Sequence, residues 1–229
     1  MSRKYQNKAA RRTGRLVMRW ILKKFFSEVS LMTIRPIRLL ALLSLSSLCL
    51  LCACGPGNNV RLLMPPALDN TVLPAPNAPR VSVVNFADKR EDSTSIGARR
   101  DGSAFTTTGD ATQWISRALA DELARSGLQV TYALTTSEGR MGNPDYLVTG
   151  QLDQLWLRES SALDYSALIR VNCTLANRKG RLWQESINSS QNRSALPSGS
   201  AAEKILLDTL RDLVKPMAQK IIQTVEKKK

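Results

Sequence analysis

The sequence contains no histidine among its 229 residues. That absence removes the general base of Ser-His-Asp and Cys-His triads and the commonest metal ligand of proteins. Aromatic residues make up only 5% of the chain, and no basic stretch is interleaved with them in the way that binding of single-stranded nucleic acid requires. We therefore predict a non-enzymatic protein with no catalytic residues, no cofactor, no metal site and no nucleic-acid partner.

Cysteine is scarce, and three of the four cysteines lie close together at Cys49, Cys52 and Cys54. If Cys54 is modified, the remaining Cys173 has no partner for an intramolecular disulfide. An exported protein without a disulfide must be stabilised by its hydrophobic core alone. Because Cys173 falls in an alternating apolar pattern, we interpret it as a small core residue rather than a nucleophile.

A short apolar run from Leu39 to Leu51 follows Arg35 and Arg38. It is shorter than the roughly 20 apolar residues that span a bilayer, and its layout is typical of a secretory signal. The residues Leu51-Cys52-Ala53-Cys54 resemble the lipobox of bacterial lipoproteins. That resemblance implies cleavage between Ala53 and Cys54, with acyl chains such as palmitate on the thiol and on the new amino group.

Most of the positive charge lies before Cys54. The whole chain has 33 basic and 19 acidic residues. Residues 1–53 contain 11 of the basic residues and only one of the acidic residues. The remaining 22 basic and 18 acidic residues leave residues 54–229 with a net charge of only +4. The high isoelectric point therefore describes the leader and indicates no nucleic-acid-binding surface.

We divide the chain into four parts. Residues 1–31 form a basic extension, and the translation start stays open between Met1 and Met32. Residues 32–53 are the signal peptide. Residues 54–79 are a lipidated cysteine and a proline-rich extended linker, able to hold a domain some tens of ångströms from a bilayer at ~3.1 Å per residue. We expect part of this linker to pack along the domain, which comprises residues 80–229.

The domain shows the pattern of an α+β two-layer sandwich in the order β-α-β-β-β-β-α. A buried strand is predicted over 81–86, a helix capped by Asp110 over 111–126, and a second strand over 128–134. We assign 137–144 and 191–200 to loops and 146–157 to a third strand. Strict alternation over 165–176 and the turn 177–180 predict a hairpin with a fifth strand over 182–188. A long amphipathic helix over 201–226 follows, with Pro216 expected to kink or split it. The sheet of about five strands is mainly antiparallel or mixed, and Trp114, Trp156 and Trp183 are assigned to the core or its margin.

The segments V-S-V-V-N-F-A-D-K-R-E-D, S-I-G-A-R-R-D-G, A-L-A-D-E-L-A-R-S-G and P-D-Y-L-V-T-G-Q-L resemble the YajG family of bacterial lipoproteins over roughly residues 54–225. The layout is more distantly similar to the N-terminal domain of TolB and to other envelope lipoproteins that act as accessory or assembly factors. The resemblance implies a binding module that faces the periplasm.

Charged residues gather after the first strand, and we select Asp88, Arg90, Asp92, Arg99 and Arg100 as a candidate partner-binding loop. A solvated loop that is held by its own ion pairs is the alternative.

The predicted function is that of an outer-membrane lipoprotein, since Gly55 replaces the aspartate taken to retain lipoproteins at the inner membrane. Its domain binds an unidentified envelope protein. A carrier of a small amphiphile or glycan, with its ligand between sheet and helices, stays open as an alternative.

Overall fold

The computed structural model describes residues 57–66, 73–195 and 198–227, all of which belong to the unit Pro56–Lys229. The predicted signal peptide, the predicted cleavage site and Cys54, the predicted lipid acceptor, lie outside the described residues. The elements, in chain order, are β1 (Arg80–Val84), β2 (Ala87–Asp88), β3 (Gly97–Ala98), β4 (Ala104–Phe105), α1 (Ala111–Arg125), β5 (Gln129–Ala133), α2 (Thr136–Met141), β6 (Tyr146–Glu159), β7 (Asp164–Asn177), β8 (Gly180–Ser194) and α3 (Gly199–Glu226).

The strands form one mixed sheet that is curled. The long strand β6 is its axis: β7 pairs with it antiparallel along one side, and β8 pairs antiparallel with β7. On the other side of β6 lie β1, β2 and β3, all parallel to it. Strand β5 continues the sheet beyond β1, and β4 continues it beyond β3. The predicted α+β sandwich is thereby confirmed.

Helices α1 and α3 pack against each other and against one face of the sheet. Their apolar stripes meet the inward side chains of β6 and β7, and residues such as Ile115, Leu119, Leu206 and Leu210 are fully buried. Helix α1 begins where predicted, because the Asp110 carboxylate accepts hydrogen bonds from the backbone N–H groups of Thr112 (2.8 Å) and Gln113 (3.2 Å). Burial of these two stripes supplies the main stabilisation of the domain.

Several predicted boundaries were wrong. Residues assigned to a loop form α2, which is capped by the Thr135 hydroxyl as it accepts a hydrogen bond from the Glu138 N–H. Because its Gly139 lies against Ser82 and Val84, α2 covers the face of β1 opposite to α1. Strand β8 continues to Ser194, well beyond the predicted end. Helix α3 is continuous through Pro216 and is not split.

Strand β6 changes its inward and outward alternation partway along. Its pairing with β7 shifts register between Leu152 and Gln154, which places one extra residue in the strand. Before the shift the even-numbered residues Val148 and Leu152 are buried, and after it the odd-numbered Leu155 and Leu157 are buried. Trp156 consequently points away from the core and is 45% exposed, which corrects its assignment to the core or its margin.

The described parts of the linker lie along the domain. Asn59 forms a parallel bridge with Thr106, and Val60 is buried in the hydrophobic core. Farther along, the Gln129 side chain donates to the backbone carbonyls of Ala75 (3.1 Å) and Pro76 (3.2 Å). These contacts attach the segment to the domain at two separate places, so the described parts of 54–79 are not a free spacer.

Candidate functional site

The first half of the predicted partner-binding loop is held by its own ion pair. The Arg90 guanidinium lies 2.7 Å from the Asp88 carboxylate and donates to the backbone carbonyl of Ser95 at 3.1 Å. The hydrogen bond from Arg90 lowers the pKa of Asp88. Because the guanidinium is nearly buried in these contacts, Asp88 and Arg90 shape the loop from within.

Asp92 caps the next turn of the same loop. Its carboxylate accepts hydrogen bonds from the hydroxyl groups of Thr94 (2.6 Å) and Ser95 (2.7 Å). These bonds hold the pKa of Asp92 well below its ordinary value, so the group stays ionised at neutral pH. The turn is an Asx-type turn of the kind that aspartate forms with backbone and side-chain donors two or three residues ahead.

Arg99 and Arg100 belong to a different place, the turn between β3 and β4. The Arg99 guanidinium donates to the Glu159 carboxylate (3.0 Å) and to the Asn58 side-chain carbonyl (3.0 Å), whereas Arg100 is exposed. The five predicted residues therefore do not converge on one point. The partner Glu159 was missed, although it falls on the buried side of β6, where an acidic residue requires a cation.

A groove of about 530 Å³ lies beside Trp156. The loop 89–92 forms one wall, and Asp153, Leu155 and Leu168 lie on the others. Tryptophan, with tyrosine and arginine, is enriched among the residues that contribute most of the binding energy at protein–protein interfaces. The predicted loop thus contributes Arg90 and Asp92 to a surface that Trp156 dominates.

A second groove, of about 610 Å³, lies at the opposite end of β6. Its basic lining residues are Arg140 from α2 and Arg178, Lys179 and Arg181 from the β7–β8 turn. Asp145 is its only acidic lining residue, and its carboxylate lies 3.9 Å from the Arg178 guanidinium. We call this surface the basic groove. Four cations against one carboxylate leave an excess of positive charge that suits phosphate or carboxylate groups.

Sequence reasoning placed Arg178 and Lys179 in a hairpin turn without assigning them a role. The turn is held by the Asn177 side-chain carbonyl, which accepts from the backbone N–H groups of Lys179 (2.9 Å) and Gly180 (3.1 Å). The distant Arg140 reaches the same groove only because α2 packs on β1. The run Arg178-Lys179 was the available signal, but its convergence with Arg140 depends on the fold.

The space between the sheet and the helices is filled with side chains. Large buried residues from both layers, Leu152, Leu175, Leu206 and Leu210 among them, belong to one hydrophobic cluster. This packing disfavours a ligand cavity there. Cys173 lies within it, and burial raises the pKa of its thiol to about 12, so the thiol is protonated and unreactive.

Within 57–66, 73–195 and 198–227, no three acidic or cysteine residues come together in a way that could hold a metal ion. The helices among the described residues are too short or too polar to cross a bilayer.

The model of the LptE family, described as lipopolysaccharide assembly, matches residues 95–225. Because the match covers more than half of the 229 residues, the chain belongs to the LptE lipopolysaccharide-assembly family. This finding overturns the resemblance to YajG, which was wrong. Three of the four segments that suggested YajG contain a strand or helix face, whose apolar pattern follows from an α+β layout and does not distinguish families.

The search of curated proteins found no match. Among solved structures, the chain is similar to protein XCC0632 from Xanthomonas campestris, with a TM-score of 0.51, 10% identity, and coverage of 74% of this chain and 98% of that one. That likeness supports the fold alone. Lipoprotein GNA1162 from Neisseria meningitidis is similar at a TM-score of 0.36 and 16% identity, over 63% of this chain and 99% of that one. The PelC dodecamer from Paraburkholderia phytofirmans is similar at a TM-score of 0.36 and 17% identity, over 60% and 89%.

Proposed function

We propose that this chain is a non-enzymatic outer-membrane lipoprotein that assists lipopolysaccharide assembly from the periplasmic side. The observation that supports it most is the match of residues 95–225 to the lipopolysaccharide-assembly family. In this proposal Cys54 carries the acyl chains and residues 80–229 form the periplasmic domain. Two or more acyl chains, at ~0.8 kcal/mol per buried CH₂, make such an anchor nearly permanent.

Replacing the proposed lipid acceptor tests the anchor. In Cys54→Ser the thiol is gone, so we expect the protein to be soluble in the periplasm or to remain unprocessed. Fractionation of the envelope and the intact mass of the product are the measurements. Recovery of a mature, membrane-bound Cys54→Ser protein would rule out the anchor.

The partner that we propose is another protein of the envelope, in keeping with the assembly role of the family. We place the contact at the groove beside Trp156, where a large aromatic side chain lies next to the acidic and basic side chains of the loop 89–92. A few residues, often aromatic, contribute most of the binding free energy of an interface. Truncation of such a residue to alanine costs about 2 kcal/mol or more of binding free energy.

Co-purification from solubilised envelopes tests this surface. Trp156→Ala is expected to reduce recovery of the partner at least tenfold, in line with a loss of about 2 kcal/mol. Leu134→Ala is the matched control, because Leu134 is also an exposed large apolar residue, 57% against 45%, but lies between β5 and α2. Equal recovery with both variants would contradict a contact at Trp156.

A second candidate function is recognition of an anionic part of lipopolysaccharide by the basic groove. The excess of cations over the single Asp145 favours it, since guanidinium groups pair with phosphate through charge-assisted hydrogen bonds. This site replaces the sheet–helix interior as the place where an amphiphile or glycan would be held.

Purified lipopolysaccharide is the probe for this second function. The double variant Arg178→Ala with Lys179→Ala removes two exposed cations and is expected to weaken binding about tenfold or more, at about 1.5–3 kcal/mol for each charged hydrogen bond lost. The control is Arg193→Ala with Arg211→Ala, an exposed and a half-buried cation that pair with Asp208 away from the groove. An equal loss of affinity in both would indicate only general charge attraction.

A further inference from the structure

The stretch of chain that follows Cys54 is attached to the domain almost from its first residues. Asn58 and Val60 run beside Thr106: the Thr106 N–H donates to the Asn58 carbonyl (2.9 Å), and the Val60 N–H donates to the Thr106 carbonyl (2.8 Å). The Val60 side chain is only 2% exposed. We call residues 58–66 the docked segment.

Side-chain contacts hold the rest of the docked segment, and one of them is the hydrogen bond from the Arg125 guanidinium to the Pro66 carbonyl at 3.3 Å. The indole N–H of Trp114 donates to the Leu63 carbonyl at 2.9 Å, and the Arg61 guanidinium lies 2.9 Å from the Glu203 carboxylate. Trp114 belongs to α1 and Glu203 to α3, so the segment is fixed to both main helices. A tether attached at so many points does not act as a flexible spacer.

The docked segment begins at one particular end of the domain. The Asn58 side chain accepts from Arg99, which also binds Glu159 at the last position of β6. The two neighbouring turns, 99–103 between β3 and β4 and 160–163 between β6 and β7, lie at this same end because Ala98 pairs with Arg158. Leu163, at the tip of the second turn, is 48% exposed. We call this the Asn58 end.

We infer that the Asn58 end is the surface of the domain that rests on the phospholipid headgroups of the membrane. The inference rests on the proposed function, in which Cys54 carries the acyl chains. The four residues from Cys54 to Asn58 can span at most about 14 Å. Since the headgroup layer itself is roughly 5–8 Å thick, the chain leaves no room for a gap wider than a few water layers.

The basic groove then lies far from the bilayer surface. Strand β6 begins with Tyr146, paired with Asn177 at the groove, and ends with Glu159, paired with Tyr165 at the Asn58 end. Its 14 residues extend over up to about 43 Å at 3.3 Å per residue. The length of β6 therefore separates the membrane-facing surface from the groove.

Energy transfer to labelled lipids tests this orientation. The acylated protein is reconstituted in vesicles of phosphatidylethanolamine and phosphatidylglycerol that contain an acceptor lipid. A donor dye is attached to Arg100→Cys in the β3–β4 turn or to Lys179→Cys in the groove; both replaced residues are exposed cations, and Cys173 is buried. Transfer from position 100 is expected to exceed transfer from position 179 severalfold, and equal transfer would overturn the orientation.

Inserting the same flexible Gly-Ser linker at two different positions distinguishes a docked tether from a free tether. Twelve added residues extend the reach by about 19 Å. Placed between Gly57 and Asn58, ahead of the docked segment, the linker is expected to abolish most of the transfer from position 100. Placed between Leu73 and Pro74, behind that segment, it should leave the transfer unchanged. Equal losses with both insertions would overturn the docked tether.

A separate readout distinguishes failure of this inference from failure of the anchor. If Cys54 is not acylated, the protein does not float with the vesicles and its intact mass lacks the lipid. If the protein floats with full lipid mass but positions 100 and 179 give the same transfer, the anchor stands and the orientation is wrong.

Discussion

The two ends of strand β6 contain the same kinds of charged residue in opposite settings. At the Asn58 end, Arg99 and Glu159 have side chains only 13% and 9% exposed and lie 3.0 Å apart. At the other end, the Asp145 side chain is 42% exposed and lies 3.7–3.9 Å from Arg80 and Arg178. The buried and paired charges at the Asn58 end therefore maintain the fold, whereas the exposed excess of positive charge at the other end is available to a ligand.

The largest effect is expected from breaking the buried pair. Glu159→Ala leaves the Arg99 guanidinium without its carboxylate in a desolvated place, and should lower the free energy of unfolding by about 3–5 kcal/mol. The matched variant Asp145→Ala at the other end should lower it by about 1 kcal/mol or less. Urea unfolding measures both, and similar losses would remove the distinction between the two ends.

Salt should affect the two ends differently. Raising NaCl from about 0.05 M to about 0.5 M shortens the screening length from roughly 14 Å to roughly 4 Å. Binding of lipopolysaccharide at the basic groove is expected to weaken about tenfold or more, because its cations are exposed. The unfolding penalty of Glu159→Ala should change little over the same range. A salt-independent affinity would argue against recognition through the exposed cations.

A smaller loss should follow when one contact of the docked segment is removed. Trp114→Phe keeps an aromatic side chain but loses the hydrogen bond to the Leu63 carbonyl, which should cost about 1 kcal/mol of unfolding free energy in addition to the cost of the smaller ring. Trp183→Phe is the control, since the buried Nε1 of Trp183 has no hydrogen-bond partner among the described residues. If both variants lose the same stability, the Leu63 contact contributes nothing of its own.

The smallest effect concerns pH. The hydrogen bond and charge of Arg61 lower the pKa of Glu203 below its ordinary value of 4.5. A carboxyl group whose pKa is lower in the folded state stabilises fully above the unfolded value and loses that contribution as the pH falls through the folded value. The stability difference between wild type and Glu203→Gln should therefore shrink as the pH falls below 4.5. A difference that stays constant down to pH ~3 would mean that the pair does not stabilise the docked segment.

The sequence predicted the parts of the fold that are encoded by local patterns. The alternation over 165–176 specified β7, and Asp110 specified the start of α1. The apolar stripe of α3 was also recognisable from the sequence. Pro216 does not interrupt this stripe, because Pro216 lies on the solvent-exposed side of the helix. Each of these signals lies within a single element and therefore needs no knowledge of the tertiary structure.

The candidate surfaces depend on contacts between distant residues, which no local pattern contains. The irregularity after Leu152 in β6 reverses the alternation and turns Trp156 outward. Helix α2 is only six residues long, too short for a 3.6-residue period to be recognised, and yet it brings Arg140 to the basic groove. The sequence predicted the charged residues as a single loop. The structure separates Arg90 from Arg99, and this separation follows from the pairing of β3 with β6.

In-cell photo-crosslinking tests most directly whether lipopolysaccharide binds at the basic groove and not at the Asn58 end. A photoreactive amino acid is placed at Ala176, an uncharged residue that lines the basic groove, and in a second strain at Arg100 at the Asn58 end. The products are probed for lipopolysaccharide. We predict a lipopolysaccharide adduct from position 176 and none from position 100. An adduct at position 100 of equal strength, or no adduct at position 176, would contradict recognition of lipopolysaccharide at the basic groove.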